Sequence, residues 1–157
     1  MTAQEILDAI QADLNLHQWR FERNDAAIAA ALSVGRTKPV SKIITARGIA
    51  AAYPGGAIAS EVVLMKLEGT AASLIASTDQ SQKVLGSLLL RQLVFLKGDG
   101  LDFGDPTLRG MLDSFASMGI LTSTEAANLK SMALVPDPIS VNDVSLALNT
   151  ISTVAGA

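Results

Sequence analysis

The stretch "KGDGLDFGDPTLRGMLDSF", Lys97 to Phe115, sets three aspartates (Asp99, Asp102 and Asp105) among glycines directly ahead of an apolar periodic run. Read as an acidic loop, it would bind a metal. Read as a helix start, it joins two helices and points to an all-α chain. A calcium loop of the EF-hand type needs oxygen donors at its first, third, fifth and twelfth positions and glycine at its sixth. Counted from Asp99, Gly104 falls sixth, but Leu101, Phe103 and Gly110 fall third, fifth and twelfth and supply no carboxylate. Counted from Asp102, Gly104 and Pro106 take ligand positions and the loop fails again. The helix reading explains more residues. Gly98 and Gly100 can close the preceding helix. Asp105 then caps the next one, with Pro106 at its first position, where a missing N–H costs nothing. Leu108, Met111, Leu112 and Phe115 follow at i, i+3, i+4 and i+7, one face of a helix. Leu101 and Phe103 are expected to anchor the joint in the core.

Outward from this joint the pattern stays helical. Thr2 can cap a first helix reaching about Leu16, with Ile6, Leu7, Ile10 and Leu14 on one face. "HQWRFER" breaks that pattern, and Asn24 or Asp25 can cap "DAAIAAALS". Helix propensity resumes at "IITARGIAAAY", halts at "PGG", and returns in "AIASEVVLMKLEG" with its expected end at Gly69. Ser77 or Thr78 is the expected cap of a long helix to Leu96. Its apolar residues Val84, Leu85, Leu88, Leu89, Val94 and Phe95 cover so much of the circumference that it belongs in a core or an interface. "LTSTEAANLK" holds a capping box, Thr122 with Glu125, and Ser140 with Asp143 opens a last helix carrying Val144, Leu148 and Ile151. The expected segments are an N-terminal helical segment at 1–33, a linker or arm at 34–42, a main helical domain at 43–151 and a flexible tail at 152–157. The fold class is all-α, a compact bundle of about six to eight short helices with an extended basic arm.

Composition bounds the chemistry. The 157 residues suit one domain with a modest core. Hydrophobic residues make up 49% and aromatics only 4%, so small aliphatic side chains carry the packing, as in closely packed helices. A formal net charge of −3 gives no general reason to expect nucleic acid as a partner. Between His17 and Ala50 six basic residues face two acidic ones, whereas between Asp99 and Asp143 seven acidic residues face two basic ones. The plain reading is two ordinary solvated surfaces; the sharper one is a subunit with complementary ends, which suits head-to-tail association in a ring or stack. With no cysteine, thiolate catalysis, disulfides and cysteine metal sites are excluded. The first residues do not read as a signal peptide, and the run Val84 to Leu96, interrupted by Arg91, is too short to span a bilayer. His17 is the only histidine; it lies near an expected helix end, where a dipole partner is a commoner role than catalysis. No nucleotide-binding glycine pattern is present, and a helix-turn-helix reading of the last two helices fails because "VNDVSLALNTI" brings Asp143 and no cation to a phosphate-lined groove.

In order, "NDAAIAAALS", "ITARGIAAAYPGGAIASEVVLMKLE" and "GLDFGDPTLRGMLDSFASMGILTSTEAANLK" resemble a group of small proteins encoded among the virion structural genes of tailed bacteriophages. The resemblance runs from Asn24 to Leu148, and "GxDFGDPxxRGMLD" and "GILTSTEAANLK" are its most distinctive parts. It implies a non-enzymatic virion component of the tail, its fibres or the head–tail region, assembled in the host cytoplasm. Its partners would be other virion proteins and copies of the same chain. No catalytic residue, cofactor, metal or small-molecule substrate comes with it, and no membrane. The expected contact residues are Arg36, Lys38 and Lys42 on the basic arm and Leu88, Leu89 and Phe95 on the wide apolar helix. An alternative of another class is a helical adaptor or regulatory module that binds a host protein or nucleic acid through the same arm.

Overall fold

The computed structural model describes residues 1–154, which are mostly helical. In chain order the elements are α1 (Ala3–Ala12), α2 (Leu14–Phe21), α3 (Asp25–Ser33), β1 (Thr37–Pro39), β2 (Ile43–Ile44), α4 (Ala46–Ala52) and α5 (Gly56–Ala76). They continue with α6 (Gln80–Lys97), β3 (Leu101–Asp102), α7 (Pro106–Ser117), α8 (Ser123–Ser131), β4 (Leu134–Pro136) and α9 (Val141–Val154). The strands are short: β1 pairs with β4, and β2 pairs antiparallel with β3 in the register Ile43 to Asp102 and Ile44 to Leu101. The chain is thus mostly α-helical, with nine helices among the described residues, of which α5 and α6 are longer than the short helices expected. The additional helix arises at Asp13, whose carboxylate accepts from the Asn15 N–H at 2.9 Å and starts α2 where one continuous helix to Leu16 was expected.

The residues cluster into two compact units, each with its own core. The first comprises Met1–Lys38 and the chain from Val135 onward. There Thr2 and Glu5 form a reciprocal capping box at α1, and Asn24 caps α3. Ile6, Leu7 and Ile10 of α1 pack with Ile28 of α3 and with Val144 and Leu148 of α9. The expected main domain at 43–151 is therefore cut differently, because α9 buries its apolar face among the N-terminal helices. Ser33 joins the ends of this unit: its hydroxyl donates to the Ala29 carbonyl at 2.6 Å and accepts from the Ile139 N–H at 2.8 Å. Ser140 and Asp143 cap α9 reciprocally, at 3.1 and 3.2 Å. Of the expected tail at 152–157, residues 152–154 continue α9 and residues 155–157 lie outside the described residues.

The second unit is Pro39–Leu134. Its longest helices, α5 and α6, fold back on each other, with Gly86 near the start of α6 lying against Ala71, Leu74 and Ile75 at the end of α5. α5 runs through Gly69 to Ala76, and Asp79, rather than Ser77 or Thr78, caps α6 by accepting from the Ser81 and Gln82 N–H groups at 2.7 and 3.4 Å. Leu64, Leu67, Leu89, Leu93 and Leu96 from this pair meet Leu112 and Phe115 of α7 and Leu129 of α8 in one core. Thr122 and Glu125 form the capping box of α8.

Candidate interaction surface

The acidic joint is held by its own chain. Asp105 accepts from the Thr107 and Leu108 N–H groups at 2.7 and 3.0 Å and caps α7 behind Pro106. Asp102 accepts from the Ser41 hydroxyl at 2.6 Å, the Lys42 N–H at 2.7 Å and the Gly104 N–H at 2.8 Å. These donors, the Ser41 hydroxyl first, hold the Asp102 carboxyl below the ordinary aspartate range. Phe103 is buried, Leu101 half-buried, and Gly100 turns the chain at φ 90°. At Gly104 the Val40 carbonyl oxygen passes 2.0 Å from where a Cβ would stand, so glycine there is a requirement of packing rather than of metal binding. Among the described residues no group of three or more His, Asp or Glu side chains is placed to hold a metal ion. A small hollow of about 30 Å³ in the second unit is lined by core side chains such as Leu64, Leu93, Phe103 and Phe115, with Gln92 beside them. It has the size of a packing defect and not of a substrate site.

The basic arm runs extended as β1 and is occupied. Within the first unit the Arg36 guanidinium meets the Asp137 carboxylate at 2.8 Å, and Lys38 meets the same carboxylate at 3.2 Å. Both cations, Arg36 first, lower the Asp137 pKa. In the second unit the Lys42 ammonium donates to the Met132 carbonyl at 2.8 Å. The sequence could not show this, since Asp137 lies 101 residues from Arg36. His17 sits inside α2, half-buried, with its ring edge-on to Phe21 at 5.2 Å, so it is not the helix-end partner its position suggested.

The wide apolar helix divides in two. α6 buries Gly86, Leu89, Leu93 and Leu96 and leaves Val84, Leu88, Leu90, Val94 and Phe95 exposed. Of the expected contact residues, Leu88 and Phe95 are on offer to a partner, at 42% and 46% exposure, while Leu89, at 2%, belongs to the core. Lys83 and Arg91 lie exposed on this helix, no acidic residue does, and Lys97 is paired with Glu68 of α5, so the open side is apolar with two basic residues. Sequence reading missed a second surface. α5 turns Ser60, Val63, Leu64, Leu67 and Ala71 inward and leaves Ile58, Val62 and Met65 in solvent on its far side. The signal was present: apolar residues at helical spacing on two opposite faces of one helix, where a surface helix needs only one. Among the described residues no helix is long and apolar enough to cross a membrane.

Comparison with protein-family models, curated proteins and solved structures finds no match for this chain. What it is rests on its own residues: a mostly α-helical protein whose two longest helices each show solvent a second apolar face.

Proposed function

We propose that this chain is a non-enzymatic structural component of a phage virion, in the tail, a fibre or the head–tail region, acting by protein–protein contact in several copies. The observation that carries the contact role is the apolar side chains left in solvent on α5 and α6, from Ile58, Val62 and Met65 to Val84, Leu88 and Phe95. Single exposed apolar residues are ordinary. Rows of them along two helices of one unit mark surfaces that a partner covers. The virion assignment rests on the resemblance of Asn24 to Leu148 to tailed-phage structural proteins. The arm-binding alternative loses ground because Arg36 and Lys38 already share Asp137, and no observation favours it. An antibody against the chain should label purified virions of the phage that encodes it. Intact, infectious particles free of the chain would contradict the proposal.

A further inference from the structure

α5 carries a graded apolar line on the side away from its core. Ile58, Val62, Met65, Gly69, Ala72 and Ala76 recur at alternating steps of four and three residues, and all six are exposed. Steps of that kind keep one line of side chains against a neighbouring helix. The N-terminal half of the line is large and the C-terminal half small. Ile58 with Ala76, Val62 with Ala72, and Met65 with Gly69 share one midpoint, residue 67. A two-fold axis at the level of Leu67, laying α5 antiparallel on its copy, therefore sets a large side chain against a small one in every layer. A parallel pairing would press Ile58 on Ile58 and leave a hole at Gly69.

We propose that α5 of one chain pairs antiparallel along this line with α5 of a second copy. Charge favours the copy over a charged partner. No position on the line is charged. Of its charged neighbours, Lys66 is matched with Glu125 and Glu68 with Lys97, each at 2.5 Å, and Glu61, exposed on the flank beside Ile58 and Met65, is the one without an ion pair among the described residues. A neutral line meeting itself strands no charge on the line, whereas an acidic helix would find no free cation beside it and a basic one only Glu61. Area sets the strength. The 21-residue helix is about 31 Å long, so a strip about 10 Å wide covers roughly 300 Å² per copy. A stable complex buries about 800 Å² per partner. The pairing is therefore weak by itself and becomes durable where further contacts hold the copies close. It rests on the several-copy reading above and adds the face, the partner and the register.

The chain has no cysteine, so introduced thiols report without background. Ile58→Cys and Ala76→Cys proteins, mixed at high concentration with a short bismaleimide, should give a cross-linked dimer, and neither should do so alone. In the antiparallel register Ile58 lies roughly 27 Å from its own copy. Met65→Glu, at an exposed position, should abolish the cross-link while leaving the helical circular dichroism unchanged. Cross-linking of Ile58→Cys with itself would overturn the register. No cross-link in the mixture, with the native chain still associating, would overturn the α5 pairing and leave the several-copy reading standing. A native chain that stays monomeric at every concentration would overturn both.

Discussion

Replacing Gly86 with alanine puts a methyl group where α5 and α6 touch. The added Cβ would lie 2.8 Å from the Ile75 nitrogen, 2.8 Å from the Leu74 Cβ and 2.9 Å from the Ala71 carbonyl oxygen. Carbon contacts are comfortable at roughly 3.5–4.0 Å, and two of these three atoms are backbone, so the helices must part. Overpacking of this kind costs about 1–3 kcal/mol. Alanine also returns roughly 0.8–1 kcal/mol of helix propensity relative to glycine, which hides part of the strain. Gly69→Ala on the facing helix isolates it. Gly69 is also helical, but nothing lies within 4 Å of its Cβ position, so that variant should gain the propensity term alone. The two substitutions share the propensity gain, and their difference in stability is the overpacking cost, about 1–3 kcal/mol. Urea unfolding followed by circular dichroism at low protein concentration reads this as a lower midpoint for Gly86→Ala than for Gly69→Ala at unchanged slope. In a chain of this length each kcal/mol corresponds to about 2–4 °C in Tm. Equal stability of the two variants, or a more stable Gly86→Ala, would refute the close approach of the helices.

Three further outcomes follow from the joint and the caps. Gly104→Ala should cost at least the upper end of the overpacking range, about 3 kcal/mol, because the Val40 carbonyl occupies the Cβ position; amide exchange at Phe103, whose N–H donates to the Lys42 carbonyl at 3.1 Å, should speed up with it. Asp105→Ala and Thr122→Ala should each lower stability by about 1 kcal/mol as lost N-caps, readable as separate shifts in the urea midpoint. Asp102, Asp137 and Glu125 have folded-state pKa values below their unfolded ones. Their contribution is complete above the ordinary carboxylate range, about pH 4, and is lost as pH falls through the lower folded values. Asp102→Asn should therefore flatten the acid limb of a stability-against-pH curve, and an unaltered acid limb would argue against the Ser41 and Lys42 hydrogen bonds.

Local chemistry was legible in the sequence and long-range partnership was not. Thr2, Asn24, Asp105 and Thr122 announce helix starts because a cap is a bond between residues two or three apart. The metal reading of the opening stretch failed on the same local grounds, and the structure spends Asp102 and Asp105 on backbone N–H groups. Gly69 misled because a glycine inside a helix costs only about 1 kcal/mol, less than the burial of Leu67 and Ala71 on either side of it returns. In α6 every face carried a leucine or valine, so spacing could not tell exposed Leu88 from buried Leu89. Periodicity showed that α9 has an apolar face, but not that Ile6 and Ile10 would cover it. Asp137 likewise gave no hint that it would take both cations of the arm.

Sedimentation of the native chain over a wide range of concentrations tests the central claim, association through the exposed apolar faces of α5 and α6, most directly. The weight-average mass should rise above that of one chain as concentration increases, and Met65→Glu together with Leu88→Glu should hold it at one chain without loss of helix. A native chain that remains monomeric throughout, or a double variant that associates as the native chain does, would contradict it.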